Sequence, residues 1–408
     1  MNVIFLTLVR IKDIEARGIY EDLMRKFRDE GHQVYIVCSS ERRLGQETAL
    51  TESSGVKILY VKTLNIQKTN IVEKGLGTLL IEHQFIKAIK KHLSGVSFDL
   101  ITYSTPPITF TNVVKYLKKR NPQAISYLQL KDIFPQNAVD IGMFGEKSPF
   151  NWYFRRKEKA LYKASDYIGC MSPANVKFVL DHNPEIEASR VEVAPNSIDL
   201  QEERKEFSDL GQRKAASYYI RKKYDLPTDK LLLIYGGNLG KPQGLGYVVK
   251  CLEANKNRSD CFFVVVGSGT DYNIISDWYG KNKDKNVKLM SFLPKEDYDM
   301  LVKFCDVGLI FLDHRFTIPN YPSRILSYME NKMPVLCATD SNTDMGRIAE
   351  ENGYGYWCES VNPEDFTDLV DKILASDIKA MGEKGYQYLK ENYLVEHTYN
   401  AIMKHFDN

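Results

Sequence analysis

Residues 231–246, LLLIYGGNLGKPQGLG, decide how the rest of the chain is read. Four apolar residues and a tyrosine run into Gly236-Gly237, which reads as a buried strand ending where the backbone turns sharply or approaches something closely. Residues 238–244 then lead into a helical run over 245–252. Strand, glycine-rich loop and helix in that order set backbone N–H groups and Lys241 at a helix N-terminus, where phosphate is favoured. An ordinary βα turn of an α/β domain reads the same way, and the stretch is neither G-x-G-x-x-G nor a P-loop.

Outward from it, the chain alternates strand and helix. Downstream, strands are expected at 261–266, 287–291, 307–311, 335–338 and 354–358, with a last helix over 386–406. Upstream, strands at 2–9, 34–38, 56–61, 100–103, 125–130, 167–171 and 191–194 alternate with helices at 14–30, 76–93, 108–119, 155–164 and 174–180. Gly31 is placed as the glycine that ends the first helix. Such a series implies parallel sheets covered by helices on both faces. The charged stretch 199–229 breaks the rhythm and finishes in a Pro-containing turn, so it reads as a linker with one helix. At 408 residues the chain exceeds one ordinary core. The fold class is therefore α/β: two doubly wound domains with ligands at the carboxyl ends of both sheets, facing a common cleft.

Composition narrows the function. With 43% hydrophobic, 26% charged and 12% aromatic residues the chain is globular, and a net charge of +2 argues against a nucleic-acid partner. The N-terminus MNVIFLTLV lacks a basic region and cleavage site, and no apolar run approaches the length of a membrane span, so a cytoplasmic location is expected. The seven cysteines are odd in number and scattered, and read as buried thiols.

Four stretches, in order, carry a resemblance: Asp132-Ile133-Phe134-Pro135 with Ala138-Val139; Met171-Ser172-Pro173 leading to Pro195-Asn196-Ser197-Ile198-Asp199; Gly236 to Gly244; and Tyr321-Pro322-Ser323-Arg324-Ile325-Leu326-Ser327-Tyr328-Met329 with Met333-Pro334-Val335. Gly267-Ser268-Gly269 and Asp306-Val307-Gly308-Leu309 are weaker signposts. The chain resembles retaining, metal-independent glycosyltransferases of the GT-B fold, family 4, in the bacterial capsule and O-antigen polysaccharide branch, similar to N-acetylfucosaminyl-type transferases. The resemblance implies two Rossmann-like domains facing a central cleft: an acceptor domain over 1–200, a linker over 201–229, and a nucleotide-sugar domain over 230–385. The C-terminal helix, about 386–408, would cross back to the first domain.

It also implies site residues. A diphosphate leaving group needs fixed cations and dipoles when no metal is present. Lys241, Arg324 and the N–H groups around Gly237 and Ser323 are placed there, although Arg324 reads equally well as a solvated surface arginine. Gly267 and Gly269 would let the backbone approach the nucleoside, Phe292 and Leu293 would hold the base, and Gly18 would face the sugar or phosphate. Asp132, at a strand end, is expected near the reacting carbon, with a cap of the turn before Pro135 as the other reading. The pattern departs from the family where paired glutamates are usual, here Pro319 and Ser327, and where an arginine and a lysine are usual, here Asn238 and Gln243; Asn238 and Ser327 are still expected to bind the donor, and Lys241 is expected to act with Asp132 in catalysis.

The expected partners are a nucleotide sugar, UDP-linked, and a polyprenyl-diphosphate-linked or oligosaccharide acceptor, with no metal and no other cofactor. Peripheral contact with an anionic membrane is expected through 76–93, with Leu79, Leu80, Phe85, Ile86 and Ile89 beside Lys87, Lys90 and Lys91, and through the aromatic and basic stretch 150–162, its aromatics in a loop. For 76–93, packing of the apolar stripe on its own sheet is the other reading. A non-hydrolysing nucleotide-sugar epimerase and a non-catalytic nucleotide- or carbohydrate-binding protein are the alternative functions. An epimerase would release its product as free nucleotide sugar.

Overall fold

The computed structural model describes residues 1–66, 71–200, 209–283 and 285–407. It divides into two compact units, Met1–Asp199 with Leu394–Asn408, and Leu200–Tyr393.

In unit 1 the order is β1 (Asn2–Thr7), α1 (Ile19–Asp29), β2 (Gln33–Glu41), β3 (Ala49–Ser53), β4 (Val56–Thr63), α2 (Ile71–His92), β5 (Leu100–Ser104), α3 (Thr111–Arg120), β6 (Ile125–Leu130), α4 (Gln136–Asp140), α5 (Pro149–Ala164), β7 (Tyr167–Cys170), α6 (Pro173–His182) and β8 (Val191–Val193). Unit 2 holds α7 (Leu210–Lys223), β9 (Leu231–Asn238), α8 (Leu245–Asn255), β10 (Cys261–Ser268), α9 (Tyr272–Gly280), β11 (Val287–Met290), α10 (Lys295–Lys303), β12 (Val307–Phe311), α11 (Arg324–Glu330), β13 (Val335–Thr339), α12 (Met345–Glu351), β14 (Gly355–Glu359), α13 (Pro363–Leu374) and α14 (Ile378–Asn392). The last helix, α15 (Val395–Met403), belongs to unit 1.

Unit 1 has an eight-stranded sheet in the order β3-β4-β2-β1-β5-β6-β7-β8, parallel except for the edge strand β3. Unit 2 has a fully parallel six-stranded sheet, β11-β10-β9-β12-β13-β14. Both are doubly wound sheets of Rossmann type. Val3, Ile4, Phe5 and Leu6 of β1 have no solvent exposure, as a strand covered on both faces requires. From α1, Leu23, Met24 and Phe27 enter the same core, each contributing about 1.5–3 kcal/mol by burial. The helix ends with Gly31 at φ 83°, in the left-handed conformation expected there.

Several boundaries differ from expectation. The first helix begins at Ile19, not 14, because Arg25 donates to the carbonyls of Ile14 and Ala16, both at 2.7 Å, and holds that stretch as a loop. The polar strand β3 is a hairpin partner of β4, turned at Ser54 and Gly55, which both have positive φ. Of the expected linker, 201–208 lie outside the described residues. The rest is not a linker: Asp209 caps α7, whose Arg221 donates to the carbonyls of Pro227, Lys230 and Phe304 while Ile220 and Leu226 are buried, so the helix is part of unit 2.

Phe150 to Phe154 are not in a loop. Ser148 accepts from the N–H groups of Phe150 and Asn151, and with Pro149 in the first turn this starts α5 there. The expected single C-terminal helix is two. It breaks at Tyr393, which is buried against Tyr321 in unit 2, and Leu394 then pairs with Ile198. The return to unit 1 is made by α15, where Tyr399 packs on Phe27 at 4.9 Å and Thr398 donates to the Pro195 carbonyl at 3.0 Å. All seven cysteines are buried and free.

Candidate functional site

In unit 2 the strand order turns at β9, with β10 on one side and β12 on the other, and ligands of doubly wound sheets sit at such points. The helix that reaches this place, α11, is fastened by Tyr328. Its hydroxyl accepts from the Gly236 N–H at 3.3 Å and lies 3.2 Å from the Ile234 carbonyl and 3.4 Å from that of Leu309. Gly308 makes room, since a side chain there would overlap the Tyr328 ring. Arg324 precedes Tyr328 by four residues and shares its helix face.

The Arg324 guanidinium carbon stands 4.4 Å from the centre of the Tyr235 ring. Its Nη1 is buried and has no hydrogen-bond partner among the described residues. A Cβ at Gly237, whose φ is 139°, would come within 3.1 Å of Arg324 Cζ, so the glycine backbone and the guanidinium border one space. An arginine cannot discard its charge. A buried donor left unpaired costs about 1–3 kcal/mol, more when charged, so the arrangement can receive an anion. This is not a solvated surface arginine.

The rest of the loop is compact. A side chain at Gly267 would overlap the Gly237 carbonyl oxygen, and one at Gly269 would overlap the backbone of Leu239, so β10 and the loop after β9 meet backbone to backbone. Asn238 and Gln243 bind each other: the Asn238 amide donates to Gln243 Oε1 at 2.9 Å, and the Gly240 N–H lies 3.2 Å from the same oxygen. Where the resemblance leads one to expect two cations, a neutral clasp shapes the turn. Lys241 is exposed in a short 3-10 turn over Lys241–Gln243, and the helix N-terminus proper is Gly244, held in the left-handed region at φ 60°. Lys241 is thus not at the first turn of α8 but before it.

Ser323 is exposed just before Arg324, and Ser327 lies half-buried one turn further along α11. Phe292 is 79% exposed after the edge strand β11, with Leu293 buried beside it. That strand lies two places from β9, and α10, which follows these two residues, brings Tyr298 to Gly236. Among the described residues, no group of three His, Cys, Asp or Glu could hold a metal ion. The sequence assigns no role to Tyr235 or Tyr328 and does not single out Tyr298. Tyr298 from α10 reaches Gly236 so closely that a side chain there would overlap its hydroxyl, and burial pushes that hydroxyl up to about 12.

In unit 1, Asp132 follows β6 at the carboxyl edge of the sheet. The Lys131 and Asp132 N–H groups donate to Thr105 Oγ1 at 2.9 and 3.1 Å, fixing the turn from beyond β5. The Asp132 side chain keeps contact with solvent, and crowding by the protein raises its carboxyl to about 6. Burial lowers the adjacent Lys131 ammonium to about 7. Two neighbouring groups that both titrate near neutrality suit proton transfer or charge stabilisation. Lys131 went unnoticed because nothing local marks how closely the protein crowds its half-buried ammonium. Gly18, at the start of α1, has an extended backbone, and the space a side chain would take there holds the Glu21 carboxylate, while its N–H donates to Asp22 at 3.2 Å. The first turn of α1 is already supplied with protein carboxylates.

Comparison with known proteins agrees with this geometry. Two wound α/β units with parallel sheets are the architecture of GT-B glycosyltransferases. Residues 19–202 match the Glycosyltransferase Family 4 model and residues 219–392 the Glycosyl transferases group 1 model, so the chain is a GT-B glycosyltransferase built from these two domains. The chain is similar to the probable glycosyltransferase WbjE of Pseudomonas aeruginosa, 21% identical over 80% of this chain and 78% of that protein. In fold it is similar to sucrose-phosphate synthase of Thermosynechococcus elongatus, with a TM-score of 0.75, 13% identity, and 100% and 98% of the two chains covered. It is also similar to HepE of Anabaena in complex with UDP, with a TM-score of 0.66, 11% identity, and 100% of both chains covered.

Proposed function

We propose that the protein is a retaining, metal-independent transferase in surface-polysaccharide assembly. Unit 2 holds a UDP-linked N-acetylated hexose or deoxyhexose, and unit 1 meets a polyprenyl-diphosphate-linked or oligosaccharide acceptor. The observation that carries this reading is the unpaired, buried Nη1 of Arg324 beside the Gly236-Gly237 turn. The UDP in the HepE complex and the name of WbjE support it. In the reaction the acceptor oxygen bonds to the anomeric carbon as the bond from that carbon to the diphosphate breaks, and the acceptor proton passes to the leaving phosphate. Arg324, Lys241 and the N–H groups of the glycine-rich loop stabilise the charge that develops on the diphosphate. Asp132 stabilises positive charge on the sugar or orients the acceptor hydroxyl.

Calorimetry with UDP tests the donor site. Equal affinity with and without EDTA is expected, and binding that vanishes on chelation would refute the metal-free reading. Lys241→Ala should weaken UDP binding less than loss of Arg324 does. Its ammonium is exposed and water competes for the same phosphate, so a loss of roughly fivefold is expected. Unchanged affinity would place Lys241 off the diphosphate.

The membrane reading is part of the proposal. No helix among the described residues is long and apolar enough to cross a membrane. The exposed hydrophobics of unit 1 include Leu76, Leu79 and Leu80 on α2 and Phe150 and Trp152 on α5. The apolar stripe of α2 is divided: Phe85 and Ile89 pack into the protein, while the three leucines of its first half face outward. On α5, Phe154 turns inward to Phe134 at 5.0 Å. Arg155 pairs with the buried Glu158 and donates to the His182 carbonyl, so it serves the fold.

A further inference from the structure

In unit 2 the segment between β12 and α11, residues 312–323, forms neither helix nor strand. It starts beside the glycine-rich loop, where the Asp313 N–H donates to the Pro242 carbonyl at 2.9 Å, and it runs into Arg324. A segment without a regular ladder takes its position from whatever binds its backbone and side chains. Phe316 and Ile318 are buried and anchor it from below, while its backbone is held from the loop after β13. There the Asn342 amide donates to the Phe316 carbonyl at 2.8 Å, and the Thr343 hydroxyl accepts from the Asn320 N–H at 3.0 Å.

Asp340 fixes the direction of that hydroxyl. Its Oδ1 accepts from the N–H groups of Asn342 and Thr343 at 2.9 and 2.8 Å, and its Oδ2 accepts from Thr343 Oγ1 at 2.9 Å. Burial raises the carboxyl to about 6 against the pull of those bonds, so at neutral pH it is mostly ionised and can only accept. The Thr343 hydrogen is therefore directed to Asp340, and a lone pair is left for the Asn320 N–H. Asp340 and Thr343 are both fully buried, so water does not compete for either bond. The turn alone does not call for a charge: an asparagine would accept from the same two N–H groups without desolvating a carboxylate. What the second oxygen adds is the hold on Thr343.

We infer that Asp340 and Thr343 are positioning residues for sugar transfer: through the Asn320 N–H they hold residues 316–320 where that segment bears on the sugar end of the donor. The side of the site follows from the strand order. Gly237 and Arg324 mark the diphosphate at the end of β9. Gly267, Gly269 and Phe292, assigned to the nucleoside, follow β10 and β11 on one side of it, and the held segment follows β12 on the other. A donor that crosses β9 with its nucleoside toward β10 turns its sugar toward this segment. The inference rests on the donor site proposed above and adds to it two residues that, being fully buried, act on the donor only through the segment they hold.

Calorimetry of the full chain with UDP, UDP-N-acetylglucosamine and UDP-N-acetylgalactosamine tests it. Thr343→Val keeps the branched shape but neither donates to Asp340 nor accepts from Asn320. It should bind UDP within about twofold of wild type, because Tyr328 holds α11 and Arg324 separately, yet bind the UDP-sugar that wild type prefers roughly tenfold less tightly. Asp340→Asn presents an N–H where Oδ2 accepted and should share that selective loss. Thr343→Ser drops the methyl and keeps the hydroxyl, so it should bind both ligands as wild type does, which a role in packing alone would not produce. Wild-type affinity of Thr343→Val and Asp340→Asn for the UDP-sugar would overturn the inference while the donor site stands. Equal loss of UDP and UDP-sugar, or no rescue by Thr343→Ser, would also overturn it and leave the two residues as supports of the fold. Wild type that binds UDP but neither UDP-sugar would remove the sugar from this side of the site, and wild type that binds no UDP would refute the donor site and the inference together.

Discussion

Asp132→Asn is expected to lower the rate of sugar transfer by roughly a hundredfold to ten-thousandfold, the range typical of a side chain that assists charge or proton movement in a transition state. UDP affinity should stay at the wild-type value, because the residues proposed to hold the diphosphate are in unit 2. The substitution keeps the turn, since both N–H groups that fix it bind Thr105 through the backbone. Thermal stability should respond to pH with a definite sign. The native carboxyl titrates at about 6, above its unfolded value, so wild type loses stability as pH rises from the ordinary carboxylate range through that value. The Asn variant has no such loss and should melt at or above wild type at neutral pH, with the gap closing in acid. Solvent access to the side chain keeps this difference small. Transfer by Asp132→Asn at the wild-type rate would remove Asp132 from the reaction and leave it as a residue of the turn.

Arg324→Ala should weaken UDP binding by roughly ten- to a hundredfold, the equivalent of about 1.5–3 kcal/mol for a charge-assisted hydrogen bond to phosphate. The fold should survive. Nη1 has no partner to orphan, and α11 stays fastened by Tyr328 to β9 and β12. Arg324→Lys should restore only part of the affinity, because an ammonium lacks the planar fork that the space between Gly237 and Tyr235 admits. Calorimetry of the three proteins against UDP decides it. Wild-type affinity in Arg324→Ala would remove the observation on which the proposed function rests.

The order of elements was legible in the sequence because it is written in local terms. A continuous apolar run such as 231–235 or 261–266 is what a strand buried on both faces needs, and the glycines at 236, 237, 267 and 269 mark places where a Cβ would meet protein. The cap Ser148-Pro149 was legible too, yet the aromatic residues after it drew the reading toward a loop. What the tertiary structure decided depends on partners distant in the chain. Tyr328 meets Gly236 across 92 residues, and Arg221 reaches Phe304 across 83, which turns a charged stretch into part of a domain. Asn238 and Gln243 are near neighbours, but only the path of the loop shows that they satisfy each other and not a ligand. The same holds for the leucines of α2: their spacing is that of a helix throughout, and only the packed structure shows that Leu76, Leu79 and Leu80 are exposed while Phe85 and Ile89 are buried. Periodicity and missing side chains are properties of a residue and its immediate neighbours, so the sequence determined the two wound sheets and the loop after β9. Burial and unpaired charge are properties of what folds back onto a residue, so only the packed structure singled out the guanidinium of Arg324.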